Sequence, residues 1–192
     1  MKNMQKEKRL KDKIILHILT GSIAAYKAGD LIQTLRQEGA KVICVMTESA
    51  KKFVTPLTIR ALSGTEVYHD FFSPDTPYDV LHTSLAEQAD LILAAPASAN
   101  FIARLAAGMG DDLASCTILA ASCPVVIAPA MNDQMYAHPL TKRNIETLKQ
   151  ISYHFINPVK GYLVCGKEAV GHIADSETIL ETLSGLVSKS RR

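Results

Sequence analysis

The chain has no tryptophan, and aromatic residues make up only 6% of its 192 positions. A core must therefore be assembled from Ala, Leu, Ile and Val, within a hydrophobic content of 47% that suits a packed globular protein rather than a disordered one. The cysteines are few. Cys44, Cys116, Cys123 and Cys165 form no CxxC pair and no zinc-type spacing, which argues against a disulfide framework and predicts free thiols in a cytoplasmic protein. His17, His69, His138, His154 and His172 also lack metal-ligand spacing, so no metal site is expected.

Long apolar runs are missing as well. The first one, Ile14–Leu19, is short and contains His17, so neither a secretion signal nor a membrane span is expected. Nor is there a strong excess of either charge, since the net value is +2. The basic residues gather at the start, where Lys2, Lys6, Lys8, Arg9, Lys11 and Lys13 stand against Glu7 and Asp12. Residues 1–12 read as a flexible, solvated tail, and no nucleic-acid partner is expected.

What is present is a regular alternation. Ile14–Leu19, Lys41–Met46, Asp90–Ala95 and Pro124–Ala128 are short runs with apolar residues on both faces, as a covered parallel sheet requires. Tyr153–Ile156 is a weaker fifth run. Helical patterns lie between them: Ile23–Gln37 ending near Gly39, Ala99–Ala107 ending at Gly108, Asp112–Ala121, Pro139–Lys149 and Ser176–Ser188. The pattern predicts an α/β fold, a doubly wound Rossmann- or flavodoxin-like, mostly parallel sheet sandwiched by helices. Residues 13–192 form one domain. Ser73–Asp79 is a turn-rich loop, and 157–175 is a long Gly-containing stretch without periodicity, read as a functional lid.

Four turns at strand ends carry candidate chemistry. Thr20-Gly21-Ser22 brings small residues to the start of a helix, either to cradle a phosphate or simply to turn tightly. The pattern matches neither GxGxxG nor the P-loop. Thr47 ends the second strand at the same edge. Ala94-Ala-Pro-Ala-Ser-Ala-Asn100 leaves room for a flat ring, with Ser98 either a ligand or a plain N-cap. Pro129-Ala-Met-Asn-Asp-Gln-Met-Tyr136 closes the fourth strand, with Asn132 either a ligand or a turn former. Open α/β sheets bind ligands at this edge.

With these residues in view, the chain resembles the flavin-dependent cysteine decarboxylase family from about Lys13 to Asp175. The landmarks are GSIAAYK at Gly21–Lys27, MTESAKKFVTPL at Met46–Leu57, and His82 ahead of SLAEQADLILAAPASANFIARLAAGMGDDL. PAMNDQMY at Pro129–Tyr136 and LVCG at Leu163–Gly166 follow in order. The resemblance implies FMN as cofactor, with Gly21, Ser22, Ile23 and Thr47 on its phosphate side and Ser98, Ala99, Asn100 and Ala130 against the flavin. It implies His82 and Cys165 as catalytic residues, and Asn132, with Met131 beside it, as binders of the substrate carboxylate. It also implies a homotrimer with the cofactor at the subunit boundary, in some members built into a dodecamer.

Such enzymes act on a small molecule ending in a cysteine carboxylate. That carboxylate cannot leave as carbon dioxide until the C–S unit has been oxidised to a thioaldehyde able to take up the electrons; a redox cofactor does this. His82 is the implied base or proton shuttle, histidine titrating near physiological pH. Cys165 is the implied acid for reducing the resulting enethiol. Relatives that stop at the enethiol on peptide C-terminal cysteines lack this cysteine, so the resemblance is closest to the members acting on 4′-phosphopantothenoylcysteine in coenzyme A synthesis.

The lid departs from that pattern. Lys167 stands where an acidic residue is usual, Ala169 replaces a glycine, and His172-Ile173 replaces Arg-Met; Lys167 or His172 is a candidate for meeting a substrate phosphate. Tyr136 replaces a Trp. Two other readings remain at this stage: a decarboxylase of peptide C-terminal cysteine, and a non-catalytic flavin-binding or regulatory relative. Flavin prenyltransferases share the expected fold, but call for a lysine that PASAN lacks.

Overall fold

The computed structural model describes residues 8–72, 80–162 and 166–189. Its frame follows from the apolar runs. Strands β1 (Ile14–Leu19), β2 (Lys41–Met46), β3 (Val67–Tyr68), β4 (Leu91–Ala97), β5 (Val125–Pro129) and β6 (His154–Phe155) form one sheet. The order is β3-β2-β1-β4-β5-β6 and every pairing is parallel. This is the doubly wound Rossmann arrangement, whose strand order reverses between β1 and β4.

Both faces of the sheet are covered. On one, Ile15, Leu19, Val42, Leu91, Leu93 and Val126 pack with Leu31, Ile32 and Leu35 of α1 (Ala28–Gln37) and Ile59 of α2 (Pro56–Ser63). Ile179, Leu180 and Leu183 of α8 (Ser176–Lys189) complete this layer. On the other, Leu16, Ile18, Ile43, Ile92 and Ile127 meet α3 (Leu81–Gln88), α4 (Ala99–Ala106), α5 (Leu113–Leu119) and α7 (Pro139–Gln150). Each fully buried Leu or Ile stabilises the fold by about 1.5–3 kcal/mol, so the unalternating strands are what the double layer needs.

Several expectations shift at the boundaries. Ile23–Gln37 is not one helix: Ile23–Lys27 is a 3-10 turn capped by Ser22, and the α-helix begins at Ala28. Residues 1–12 are not all tail. Leu10 is fully buried, and Arg9 bridges Glu38 at 2.9 Å and Glu177 at 2.6 Å, fastening this segment to the end of α1 and to α8. Within 157–175, β7 (Val159–Tyr162) and β8 (Glu168–His172) form an antiparallel hairpin rather than an irregular loop. A short α6 (Asp133–Ala137) follows β5. Among the described residues no helix is long and apolar enough to cross a membrane.

Among the described residues, His17 is the one polar side chain buried within a strand. It is fully buried in β1, with Nε2 only 2.6 Å from the Ala95 carbonyl, while Nδ1 meets no partner. Burial lowers its pKa to about 4, so the ring is neutral and donates from Nε2.

Candidate functional site

The carboxyl ends of β1, β2, β4 and β5 open on one cavity of about 730 Å³, within the size range of cofactor and ligand sites. Four turns build it, and they are tied to one another. Thr20 Oγ1 donates to the Pro96 carbonyl at 2.7 Å and accepts from the Ser98 amide at 2.8 Å, joining the ends of β1 and β4. Ser22 Oγ donates to the Ala130 carbonyl at 3.1 Å, joining the first turn to the fourth.

The first turn approaches the second so closely that it requires glycine. A Cβ on Gly21 would lie 2.4 Å from Cβ of Ser49. Gly21, Ser22, Ile23 and Thr47 all line the cavity. Thr47 is nearly buried, and its hydroxyl accepts from the Ala50 amide at 3.3 Å. Ser49, which sequence reasoning passed over, lines the cavity and packs against Gly21; its place two residues beyond Thr47 in the same turn was the available signal.

The other two turns supply the opposite wall. Ser98, Ala99, Asn100 and Ala130 line it, with Met131 and Asn132 beside them. Ser98 and Asn132 act as helix caps while also lining the cavity. Ser98 Oγ caps α4 by accepting from the Phe101 amide at 3.3 Å, and Asn132 Oδ1 caps α6 by accepting from Gln134 N at 2.9 Å. Capping fixes both side chains where they line the cavity. It also orients Asn132 with its oxygen on the backbone, so Nδ2 is the end that suits an anion.

A second group of lining residues was quoted in the sequence without a role. Arg104 of α4 donates from Nε to Asp111 at 2.9 Å and pairs through Nη1 with Asp112 at 3.0 Å. Burial works against its charge, but the two carboxylates outweigh that and raise its pKa; hydrogen bonding to Arg104 lowers that of Asp111. Asp112 also caps α5 by accepting from Ser115 N at 2.8 Å. The cluster pins the turn between α4 and α5 against the cavity.

The hairpin closes the remaining side with Tyr162, Gly171 and His172. Met131 N donates to the Gly171 carbonyl at 3.1 Å, and a Cβ on Gly171 would lie 2.3 Å from the Met131 oxygen. Lys167 is not among the lining residues. Its ammonium lies 2.8 Å from Asp133 Oδ2, and this hydrogen bond lowers the Asp133 pKa. The expectation that Lys167 meets substrate thus encounters an ion pair already made within the chain.

His82 is the other expected residue outside the lining. It sits in the first turn of α3, half-buried, with its ring edge-on to Phe71 at 5.8 Å between centroids. The structure does not bring it to the cavity of its own chain. Cys165 lies outside the described residues. Among the described residues no cluster of His, Cys, Asp and Glu could hold a metal.

Comparison with known proteins places the chain among its relatives. The Flavoprotein family matches residues 3–188. The bifunctional coenzyme A biosynthesis protein CoaBC of Bacillus subtilis (strain 168) is 49% identical over 172 residues, which cover 90% of this chain and 42% of that one. The chain thus spans less than half of that relative's length. A probable phosphopantothenoylcysteine decarboxylase of Streptococcus mutans serotype c is 44% identical, over 89% of this chain and 97% of its own. Among solved structures, a cysteine-to-serine mutant of PPC decarboxylase complexed with pantothenoylaminoethenethiol superposes with a TM-score of 0.80. It is 31% identical, and the match covers 90% of this chain and 97% of that one. On fold and sequence together, the chain belongs to the Flavoprotein family.

Proposed function

We propose that this protein binds FMN and decarboxylates 4′-phosphopantothenoylcysteine to 4′-phosphopantetheine, a step of coenzyme A synthesis. The observation that carries the reading is the single cavity lined by Gly21–Ile23, Ser98–Asn100 and Ala130–Asn132 under the β7–β8 hairpin. The whole-length likeness to the Streptococcus mutans relative supports the same activity.

The residues present fit the cofactor. At Gly21 there is no room for a side chain beside Ser49, so backbone N–H groups can approach a phosphate. Ala99 and Ala130, small residues of the cavity lining, leave room for a ring system. FMN supplies the acceptor for the hydride removed from the substrate's C–S unit. Ser22 and Thr47 hold the phosphate end, while Ser98, Asn100 and Ala130 hold the ring.

The chain's own groups then bind and move protons. Asn132 Nδ2 donates to the substrate carboxylate and orients it without neutralising it, and Met131 packs beside it. Cys165 delivers a proton from Sγ when the enethiol is reduced. His82 acts from a neighbouring subunit: it lies outside its own chain's cavity, so a homotrimer, alone or gathered into a dodecamer, would bring it to the next cavity as proton shuttle. The protein works in the cytoplasm on a small molecule.

The test is mass spectrometry of the purified protein, loaded with FMN, after incubation with 4′-phosphopantothenoylcysteine. Saturated 4′-phosphopantetheine is expected. A product two hydrogens lighter would retain the oxidative step and remove the reductive role of Cys165. No turnover by a protein holding FMN would sink the assignment.

A further inference from the structure

Beyond its place in the cavity lining, His172 has a partner that no role assigned so far explains. Its Nε2 lies 2.6 Å from Nζ of Lys27, the last residue of the 3-10 turn that Ser22 of the cavity lining caps. An ammonium has only protons to offer, so Nε2 must be the acceptor and the imidazole must be neutral with its proton on Nδ1. The ring also lies against Gly161 of β7, where a Cβ would come within 3.2 Å of it. His172 therefore joins both strands of the hairpin to the body of the domain.

We propose that His172 is a positioning residue: as a neutral acceptor for Lys27 it holds the hairpin wall of the cavity closed, and on protonation it releases that wall. Two cations cannot share a 2.6 Å contact. Burial and the Lys27 charge both lower the His172 pKa, which agrees with a closed state built for the neutral ring.

Most charged groups on the neighbouring elements have partners of their own. On β7 and β8, Lys160 pairs with Glu168 at 3.0 Å; on α6, Asp133 pairs with Lys167 at 2.8 Å. Asp175, beyond β8, accepts from the Thr178 amide at 2.8 Å at the start of α8. Asp30 of α1 lines, with Lys27 and Asp175, a separate cavity of about 190 Å³. Tyr26 and Tyr162 share the main cavity with His172. Asp133 has its pKa lowered, so its bridge to Lys167 persists over the range in which histidine titrates.

The sign follows from linkage. Lifting the hairpin returns His172 toward its ordinary pKa of about 6.5, so opening is favoured progressively as pH falls below that value. Above it the clamp is fully engaged.

The Met131 amide reports on the clamp, because it donates to Gly171 of the hairpin, and the adjacent Ala130 amide is an internal reference, because it donates to Ala97 of the body. Hydrogen exchange of the two is to be followed by NMR on the purified full chain. In the native sequence the protection of Met131 relative to Ala130 should fall about tenfold from about pH 7.5 to about pH 5. His172→Gln keeps an acceptor oxygen near the Nε2 position and cannot titrate, so its ratio should stay high and flat. Lys27→Met removes the donor and should give a low ratio at both ends.

A flat ratio in the native sequence, or an equal decline in His172→Gln, would overturn the proposal. If His172→Gln does not fold, the native profile against Lys27→Met decides alone. A kinetic arm rests on the decarboxylase reading: the native KM should rise at acid pH at constant kcat, and that of His172→Gln should not. The exchange ratio needs neither flavin nor turnover, so failure of that reading and failure of the clamp are distinguishable.

Discussion

Two walls of the same cavity are built in opposite ways. The strand-end turns are continuous with a six-stranded sheet and with the buried core, and they are tied together by Thr20 and Ser22. The hairpin wall has little core beneath it: Gly171 is its buried residue, and Val159, Tyr162 and Val170 are exposed. Backbone contact with Met131 and the side-chain bridges of Lys167 and His172 hold it. Segments with few buried apolar contacts open at low cost. A cavity with one fixed wall and one fastened wall can hold a cofactor tightly and still admit a substrate.

The contrast is broken most sharply by adding one methyl group to each wall. Gly171→Ala places a Cβ against the Met131 carbonyl, and the hairpin, not the sheet, has to give. Turnover should drop about a hundredfold, as a misplacement of about 1 Å at a site does, with the melting temperature nearly unchanged. Gly21→Ala meets Ser49 inside the fixed wall. There the strain falls on the fold itself, costing about 1–3 kcal/mol by overpacking, and flavin affinity falls with it. Thermal melts and flavin titration of the two variants separate the walls. Equal loss of stability in both would refute the contrast.

The fixed wall has its own weakness at low pH. His17 is neutral in the fold with a pKa of about 4, whereas in the unfolded chain it titrates near 6.5. Its folded pKa is depressed, so the native state is favoured fully above about pH 6.5 and loses stability as pH falls toward 4, by about 3 kcal/mol in all. His17→Gln can still donate to the Ala95 carbonyl and does not titrate. Its denaturation midpoint should vary less between neutral and acid pH than that of the native chain. An unchanged acid profile would mean that other groups carry the loss.

Arg104 tests the seam between helix and cavity. Held by Asp111 and Asp112, it positions the turn that follows α4. Arg104→Met should weaken flavin binding about tenfold, the scale of a lost charge-assisted pair, while Arg104→Lys recovers part of it. Flavin fluorescence during titration reads both.

The fixed wall was the legible one. Unalternating apolar runs announced the buried strands, and the residues after Leu19, Ala97 and Pro129 announced its turns, because backbone geometry there is local. What was missed is either short or non-local. The two-residue β3 is below the length at which periodicity exists. Helix α2 carries a Thr55 cap and an N-terminal proline, but only Ile59 and Ser63 are buried, which leaves no stripe to read. In the hairpin, alternation is absent because neither face meets a large core. The partners of Lys167 and His172 lie 34 and 145 positions away, and no spacing rule spans that distance. Residues such as Arg104 were visible in GMGDDL-flanking sequence but had no chemistry until the fold set them beside two carboxylates.

The smallest expected effect belongs to the other bridge of the hairpin. Lys167 is about half exposed and Asp133 largely covered, at 47% and 16% side-chain exposure, so solvent screens much of their attraction. Lys167→Met should therefore raise KM only about two- to threefold, leave the melt unchanged, and make the residual effect insensitive to salt. The native chain, in contrast, should lose a similar factor when salt is raised, because screening weakens a partly exposed pair. The neighbouring Lys27 contact to His172 pairs one charge with a neutral ring and should respond to acid instead. Salt and acid thus address the two fastenings separately. If salt moved both equally, the hairpin would be held as one electrostatic patch rather than by two distinct bonds.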